Sequence, residues 1–290
     1  MVEAAAASGA DAIKLQTYTP DTMTLDISAP GFLIDDPKSL WAGRQLYDLY
    51  REAHTPWAWH RPIMERAAAL GLHCFSTPFD DTAVDFLETL GVPAYKIASF
   101  ECTDLPLIRK VAATGKPMII STGMATLAEI DETVRTARAA GCRDLVLLKC
   151  TSTYPSTPLN TNLRSIPVLR DAFGCEVGLS DHTMGCGAAV AAVALRRGRH
   201  REALHAESRA EGGVDSAFSL EPAEFAAAAH RDRACVAGAR RRRASACRWP
   251  RPHRCATAAR STSCEDLKAG DVLTAAQPAR HPSRLRAAAA

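Results

Sequence analysis

The chain has 290 residues, a hydrophobic content of 47% and a formal net charge of +3. This length and composition can bury a full core, so we expect a globular protein with one large barrel or two medium domains rather than a disordered chain. No apolar run approaches the roughly 20 residues that span a bilayer, and the start lacks the features of a secretory signal. We therefore expect a cytoplasmic protein with no membrane partner. The ten cysteines form no CxxC pair, so we expect reduced thiols.

Short β-rich runs alternate with helical stretches over the first two thirds of the chain. The predicted strands are Ala12–Tyr18, His73–Thr77, Ala94–Ser99, Pro117–Thr122, Leu145–Thr151 and Glu176–Ser180. The predicted helices are Pro56–Leu70, Asp81–Leu90, Leu105–Thr114, Leu127–Ala140 and Asn162–Phe173. This alternation is typical of a (β/α) barrel. Glycines placed to end the helices are Gly71, Gly91, Gly115 and Gly141.

The chain begins in an alanine-rich stretch that predicts a helix, and six strands follow it. We therefore expect an α/β fold, a TIM (β/α)8-type barrel that lacks its first strand. We also expect a chain that is truncated at its start.

The composition changes abruptly at Arg196. From this residue to the end, the sequence contains no Ile, Tyr, Asn or Met and a single lysine, Lys268. Between Ala226 and Cys255, the one aliphatic residue larger than alanine is Val236, whereas arginine is frequent. Such a composition is not expected to pack a core.

Out-of-frame translation of GC-rich DNA would explain this change. Residues 196–206 read RRGRHREALHA, and synonymous codons for them, read from the second base, encode GAVVIEKHFT, which would make the eighth strand. Residues 256–264 and 279–286 can likewise be written to contain DGRSLYVV and RGIRPGYG in other frames. We hypothesise a frameshift after Leu195; a gene sequence with no base inserted or missing near the codon for Arg196 would contradict it.

The run Arg240–Arg243 has the charge of a polyanion-binding patch. No aromatic side chains are interleaved with it, and it lies within the altered composition. We therefore expect no nucleic-acid partner.

Polar residues cluster where the predicted strands end, which is where barrel enzymes place their chemistry. They are Lys14, Gln16, Ser76, Thr77, Lys96, Ser99, Glu101, Ser121, Thr122, Cys150, Thr151, Ser152, Tyr154, Ser180, Asp181 and His182. Lysines and hydroxyls at one mouth indicate a pocket for a phosphate and a carboxylate. Taken singly, each has another interpretation, since a serine can cap the next helix and a lysine can form a rim ion pair.

Several motifs carry a family resemblance. They are DAIKLQTYTPDTMTL (11–25), FSTPFD (75–80), YKIASFE (95–101), IISTGMAT (119–126), KCTSTYP (149–155), VGLSDHTMG (177–185) and GGVDSAFSLEP (212–222). Together they resemble the sialic acid synthase family, which condenses phosphoenolpyruvate with an N-acetylated sugar aldehyde. The segment LWAGRQLYDLYREAHTPWAWH (40–60) is similar to the pseudaminic acid synthase branch.

The resemblance also implies a domain organisation. Residues 1–225 would form an incomplete synthase barrel, with 196–207 out of frame, and residues 226–264 an out-of-frame linker. Residues 265–290 contain EDLKAGDVLT and resemble a degraded remnant of the small antifreeze-like (SAF) domain. Family members share sites between subunits, which implies a homodimer.

The resemblance assigns roles residue by residue. Phosphoenolpyruvate would be bound by Lys14, Thr77, Lys96, Ser99, Ser121, Ser152 and Ser180. The N-acetylated amino sugar would be contacted by Gln16, Tyr154 and Asp215. Glu101 and Asp215 would handle protons or orient the substrate.

His182 would be one of two histidines that hold a divalent cation, Mn²⁺ or a relative, which polarises the aldehyde oxygen. The second histidine belongs to a Glu-Lys-His-Phe motif present only in the other frame. One histidine alone makes a poor cation site.

Three functional interpretations remain open at this point. The first is a pseudaminic acid synthase, or an N-acetylneuraminate or legionaminate synthase, acting on a 2,4-diacetamido-2,4,6-trideoxy-altrose-type or related sugar. The second is a Schiff-base aldolase that uses Lys14, Lys96 or Lys149. The third is the inactive product of a damaged gene.

Overall fold

The structure, a computed structural model, describes residues 1–37, 39–153, 156–195, 220–239, 262–263 and 278–279. The chain divides into two compact units, Met1–Arg241 and Arg242–Ala290. The first unit contains every secondary-structure element discussed in relation to the site.

A parallel sheet of six strands forms the centre of the first unit. Its strands are β1 (Ala12–Thr17), β2 (His73–Pro78), β3 (Tyr95–Ile97), β4 (Met118–Ser121), β5 (Leu145–Cys150) and β6 (Glu176–Ser180). Each strand pairs with the next one in the sequence, in the order β1-β2-β3-β4-β5-β6. The prediction of an α/β fold with these six strands is confirmed, and helical connections between neighbouring parallel strands are those of a TIM-type barrel.

Helices connect the strands. They are α1 (Val2–Ala7), α2 (Pro20–Met23), α3 (Leu46–Ala53), α4 (Trp57–Ala69), α5 (Asp81–Leu90), α6 (Leu105–Ala113), α7 (Leu127–Ala139), α8 (Ser165–Phe173), α9 (Gly187–Leu195) and α10 (Pro222–Ala239). Short 3₁₀ turns span Phe100–Thr103 and Pro158–Asn160. Among these described helices, no helix combines the length and apolar content needed to cross a membrane.

Local sequence explains where the helices begin and end. The Asp80 carboxylate accepts hydrogen bonds from the N–H groups of Thr82 and Ala83 at the start of α5. The same helix ends at Gly91, whose φ of 68° lies in the left-handed region that favours glycine. Strand and helix lengths predicted from sequence agree with the structure to within a few residues because these signals are local.

One face of the sheet, the outer face, packs against helices. Tyr95, Ile97, Met118, Ile120 and Leu147 are fully buried there and share one apolar core with α5, α6, α7 and α8. Since successive side chains of a strand point to opposite faces, the residues between them line the other, inner face.

A buried polar network joins α4 to the outer face of β1 and β2. The Thr17 hydroxyl lies 2.7 Å from His60 Nε2 and 2.7 Å from the Ser76 hydroxyl. All three residues are buried. His60 therefore holds a helix to the sheet, outside the mouth of the barrel.

Residues 226–239, which the sequence assigned to a linker, continue α10. Ala228 and Ala229 are buried, and the helix packs on α9. Alanine and arginine are strong helix formers, so a helix can form here without large aliphatic side chains.

In the second unit, the described residues form two short antiparallel strands, β7 (Thr262–Ser263) and β8 (Pro278–Ala279). The expected eighth strand of the barrel, read in the other frame after Leu195, falls outside the described residues, as does the segment that resembles the antifreeze-like domain apart from β8.

Candidate active site

The carboxyl ends of the strands bring together most of the residues singled out from sequence. On the inner face, the register places Gln16 beside Thr77 and Cys150 beside Ser180. Inner-face positions at or near strand ends are Lys14, Gln16, Thr77, Lys96, Ser121, Cys150 and Ser180. Polar side chains thus gather on a face that the helices do not cover.

Two of these hydroxyls are buried and have no hydrogen-bond partner among the described residues. They are Thr77 Oγ1 and Ser121 Oγ, on residues exposed by 1% and 0%. Leaving such a group unsatisfied costs about 1–3 kcal/mol. The arrangement is therefore suited to a ligand whose oxygens accept these hydrogen bonds.

Lys96 is buried between these two hydroxyl-bearing strands, on β3. A buried ammonium group is costly without a negative partner, and Glu101 is close enough for the two charges to interact. Lys96 thus supplies the positive charge that an anionic ligand at this mouth requires.

A second group of polar atoms surrounds the Cys150 thiol. Its Sγ lies 3.9 Å from Ser152 Oγ and 3.9 Å from His182 Nδ1. Burial raises the pKa of this thiol, but interactions with His182 and with the hydroxyls of Ser99 and Ser180 lower it to about 7. Three predicted phosphoenolpyruvate serines and the predicted metal histidine therefore lie around one buried cysteine.

His182 is held by the loops that follow β5 and β6. Its Nδ1 lies 3.2 Å from the Thr151 carbonyl oxygen, and its own carbonyl accepts a hydrogen bond of 3.0 Å from Ser156 N–H. A proton on Nδ1 directed at Thr151 leaves the lone pair of the neutral ring on Nε2, the usual arrangement of a metal-binding histidine.

The described residues do not complete a metal site around His182. Within residues 1–37, 39–153, 156–195 and 220–239, no three histidine, cysteine, aspartate or glutamate side chains are grouped so that they could hold a metal ion. The segment in which the frameshift hypothesis places a second histidine lies outside them. In the described part of the chain, His182 would therefore need ligands from elsewhere to hold a divalent cation.

Glu101 lies beside the mouth in the 3₁₀ turn that follows β3. Burial raises its carboxyl pKa, against the lowering effects of its backbone hydrogen bond and of Lys96. Its Oε2 is buried and has no hydrogen-bond partner among the described residues. A buried carboxyl group with a raised pKa is suited to holding or transferring a proton.

Helix α3 reaches this side of the mouth. Burial raises the pKa of the Tyr50 phenol, and the Glu101 charge raises it further. The Tyr50 ring also packs edge-to-face on Tyr18, at a centroid distance of 6.0 Å. The segment similar to the pseudaminic acid synthase branch therefore contributes a side chain near Glu101.

Lys149 lies on the opposite face from its neighbour Cys150. Its Nζ donates hydrogen bonds to the Cys150 carbonyl (2.8 Å) and to Thr151 Oγ1 (2.6 Å). Burial lowers its pKa, but alternation along β5 points its side chain away from the inner face. Of the three lysines considered for a Schiff base, Lys149 has the least favourable position.

Two predicted site residues, Tyr154 and Asp215, lie outside the described residues. Sequence reasoning gave no role to Gly123, which follows β4 and donates a hydrogen bond of 3.2 Å from its N–H to Ser99 Oγ. A glycine directly after a strand-end Ser-Thr pair was the available signal, since glycine at such a place often marks a close approach of backbone and ligand or side chain.

Comparison with known proteins identifies the family. The sequence profile described as "NeuB family" matches residues 1–238. The chain belongs to the NeuB family.

Among NeuB relatives, the pseudaminic acid synthase of Campylobacter jejuni subsp. jejuni serotype O:2 is 45% identical over 226 residues, which are 78% of this chain and 65% of that protein. The N,N'-diacetyllegionaminic acid synthase of the same organism is 34% identical over 229 residues, 78% of this chain and 67% of that protein. The chain thus spans about two thirds of the length of these relatives.

Solved structures agree with the family. The N-acetylneuraminic acid synthetase of Leptospira borgpetersenii serovar Hardjo-bovis, in complex with citrate, superposes with a TM-score of 0.73 at 25% identity, covering 85% of this chain and 80% of that one. This structural similarity supports the interpretation of the six-stranded sheet as part of a TIM-type barrel.

Proposed function

We propose that the chain derives from a nonulosonate synthase of the pseudaminic acid type, which condenses phosphoenolpyruvate with a 2,4-diacetamido-2,4,6-trideoxy-altrose-type sugar. One observation carries the proposal: the buried hydroxyls of Thr77 and Ser121, which have no hydrogen-bond partner in the described part of the chain, lie on the strands on either side of the one that carries Lys96. Such a site suits the phosphate and carboxylate of phosphoenolpyruvate. The identity to a pseudaminic acid synthase supports this sugar over the legionaminate or N-acetylneuraminate precursors.

The reaction would proceed in two bond-forming steps. C3 of phosphoenolpyruvate attacks the aldehyde carbon of the sugar, and the aldehyde oxygen takes a proton and becomes a hydroxyl. Water then adds at C2, phosphate leaves as its bond to C2 breaks, and a nine-carbon 2-keto sugar acid remains. The serines and lysines orient the enol phosphate, while Glu101 holds or moves a proton.

We propose the remaining contacts from the family resemblance. Lys14, Ser99, Ser152 and Ser180 would complete the phosphoenolpyruvate site, and Gln16, Tyr154 and Asp215 would contact the sugar, with Tyr154 and Asp215 acting in catalysis. His182 would be one ligand of a divalent cation such as Mn²⁺, which when bound polarises the aldehyde. Titration of the purified chain with Mn²⁺, followed by electron paramagnetic resonance, tests this, with His182→Ala as the comparison.

We also propose a domain organisation for the chain. In the described sheet, β1 and β6 pair on one side each, whereas a barrel closes by pairing its edges. The frameshift hypothesis supplies a further strand after Leu195, and a TIM-type barrel followed by an SAF remnant is the organisation that we propose. The intact protein would be a cytoplasmic homodimer, which light scattering of a frame-restored chain would test.

Phosphate release tests the function directly. The purified chain and a frame-restored version are incubated with phosphoenolpyruvate, Mn²⁺ and either the altrose-type or a mannose-type sugar, and released phosphate is measured. The proposal expects release by the restored chain with preference for the altrose-type sugar. Release with neither sugar from either chain supports the inactive product, and a covalent adduct trapped by borohydride supports the Schiff-base aldolase.

A further inference from the structure

Gly123 occupies a crowded place between the ends of β3 and β5. Its N–H donates to Ser99 Oγ at 3.2 Å. A Cβ added at this glycine would overlap Ser152 Oγ and would lie 2.9 Å from Ser99 Oγ and 3.2 Å from Cys150 Cβ. Two of the serines assigned to phosphoenolpyruvate therefore approach the α-carbon of one glycine from two different loops.

The backbone of Gly123 does not require glycine. Positive φ angles occur at glycines such as Gly91 and Gly115, whereas Gly123 is not among the described residues with this conformation. A larger residue at position 123 would therefore be disfavoured by steric clashes around the α-carbon and not by its backbone conformation.

The kind of atom that a methyl group would meet determines the consequence. A serine hydroxyl turns about a single bond, so Ser99 and Ser152 can rotate away from an added methyl at small cost. The Cys150 Cβ is less free to move, but at 3.2 Å it has to shift by only a few tenths of an ångström. The protein would therefore keep its fold, while the two hydroxyl groups would leave their present positions.

We propose that Gly123 is a positioning residue of the phosphoenolpyruvate site: the absence of a side chain allows the hydroxyls of Ser99 and Ser152 to converge on one anionic group of this substrate. This inference rests on the proposed function. Gly123 does not itself act in the chemistry, since its contribution passes through the two serines.

The first experiment measures phosphoenolpyruvate binding by calorimetry for the wild-type chain, Gly123→Ala and Gly187→Ala. Gly187 is a matched control because a Cβ there meets nothing within 4 Å and its φ is not positive. We expect Gly123→Ala to weaken binding by about tenfold or more, as the loss of one or two hydrogen bonds to a charged group predicts. The melting temperatures of both variants should remain close to that of the wild type.

A double-mutant cycle distinguishes positioning from simple packing. In the Ser152→Ala background, the added methyl no longer meets the Ser152 hydroxyl, so Gly123→Ala should weaken phosphoenolpyruvate binding by a clearly smaller factor than in the wild type. In a frame-restored chain that releases phosphate, Gly123→Ala should raise the KM for phosphoenolpyruvate and leave the KM for the sugar unchanged.

Four outcomes would contradict the inference. Equal phosphoenolpyruvate affinity of wild type and Gly123→Ala overturns it while leaving the proposed function intact. A full, additive loss in the Ser152→Ala background, or a loss explained by unfolding in the melting curve, shows a packing role instead. Absence of phosphoenolpyruvate binding by the wild type overturns the proposed function and this inference with it.

Discussion

Buried hydroxyl groups differ in whether they form hydrogen bonds within the folded protein. Thr133 Oγ1 is buried and donates a hydrogen bond to the Cys102 carbonyl on the outer side of the sheet. Ser121 Oγ is equally buried but has no partner among the described residues. The first hydroxyl stabilises the fold, whereas the second is available to a ligand.

This difference gives a paired prediction. Ser121→Ala should leave the free energy of unfolding unchanged or slightly raised, because it removes an unsatisfied group, and should weaken phosphoenolpyruvate binding by about five- to tenfold. Thr133→Val should lower the free energy of unfolding by about 1 kcal/mol and leave binding unchanged. Urea unfolding and calorimetry measure both, and a destabilised Ser121→Ala would contradict the assignment.

His60 makes stability depend on pH. Burial lowers its pKa, although hydrogen bonds with the backbone of Pro56 and Trp57 partly oppose this. Because the unfolded chain then binds the proton more readily than the folded one, the neutral ring's contribution to stability is present above the unfolded pKa of about 6.5 and is lost as the pH falls below it toward the folded value.

We therefore expect the urea-unfolding free energy to decrease between pH 7.5 and pH 5.5. In His60→Gln the decrease should be smaller, because that side chain does not titrate. His54, half-buried on the chain segment before α4, offers a control: His54→Gln should retain the full pH dependence. An unchanged slope in His60→Gln would show that other groups are responsible.

At the scale of elements, local sequence signals predict where most helices and strands begin and end. The capping box of α7 is an example, since the Thr126 hydroxyl accepts from Glu129 N–H and the Glu129 carboxylate accepts from Thr126 N–H. Thr126→Ala should lower the free energy of unfolding by about 1 kcal/mol, while Thr126→Ser should retain most of it. Chemical denaturation of the two variants tests the cap; equal losses would show that packing matters more.

The sequence could not provide the contacts between elements. Strand ends identified the inner-face residues because alternation along a strand is a local property. The approach of Ser99 and Ser152 to Gly123, and the arrangement around Cys150, depend on how three loops pack. The Ser99–Gly123 contact joins residues 24 positions apart, the Cys150–His182 contact joins residues 32 positions apart, and no local signal in the sequence fixes such distances.

Helix α3 shows the same limit. The sequence of segment 40–60 resembles one branch of the family, but it did not predict helix α3 within that segment. The short helix is positioned by tertiary contacts such as the edge-to-face packing of Tyr50 on Tyr18, and an isolated helix of 8 residues has little stability of its own.

At the scale of the whole molecule, the sheet edges determine how the chain behaves in solution. In the described part, β1 and β6 each have one unpaired side, and unpaired strand edges promote association between chains. We expect the chain to form concentration-dependent oligomers or aggregates in light scattering. A frame-restored version should scatter less at the same concentration, and equal scattering would argue against the restored segment as a strand.

Successive residues of a strand point to opposite faces of the sheet, so one set contributes to packing and the other faces the mouth. In β2, Ser76 belongs to the His60 network while its neighbour Thr77 faces the mouth; in β5, Lys149 and Cys150 divide in the same way. Substitutions at one set alter folding, and substitutions at the other alter ligand recognition. Evolution could therefore exchange substrates by changing every second residue near the strand ends while the scaffold that carries them remains the same.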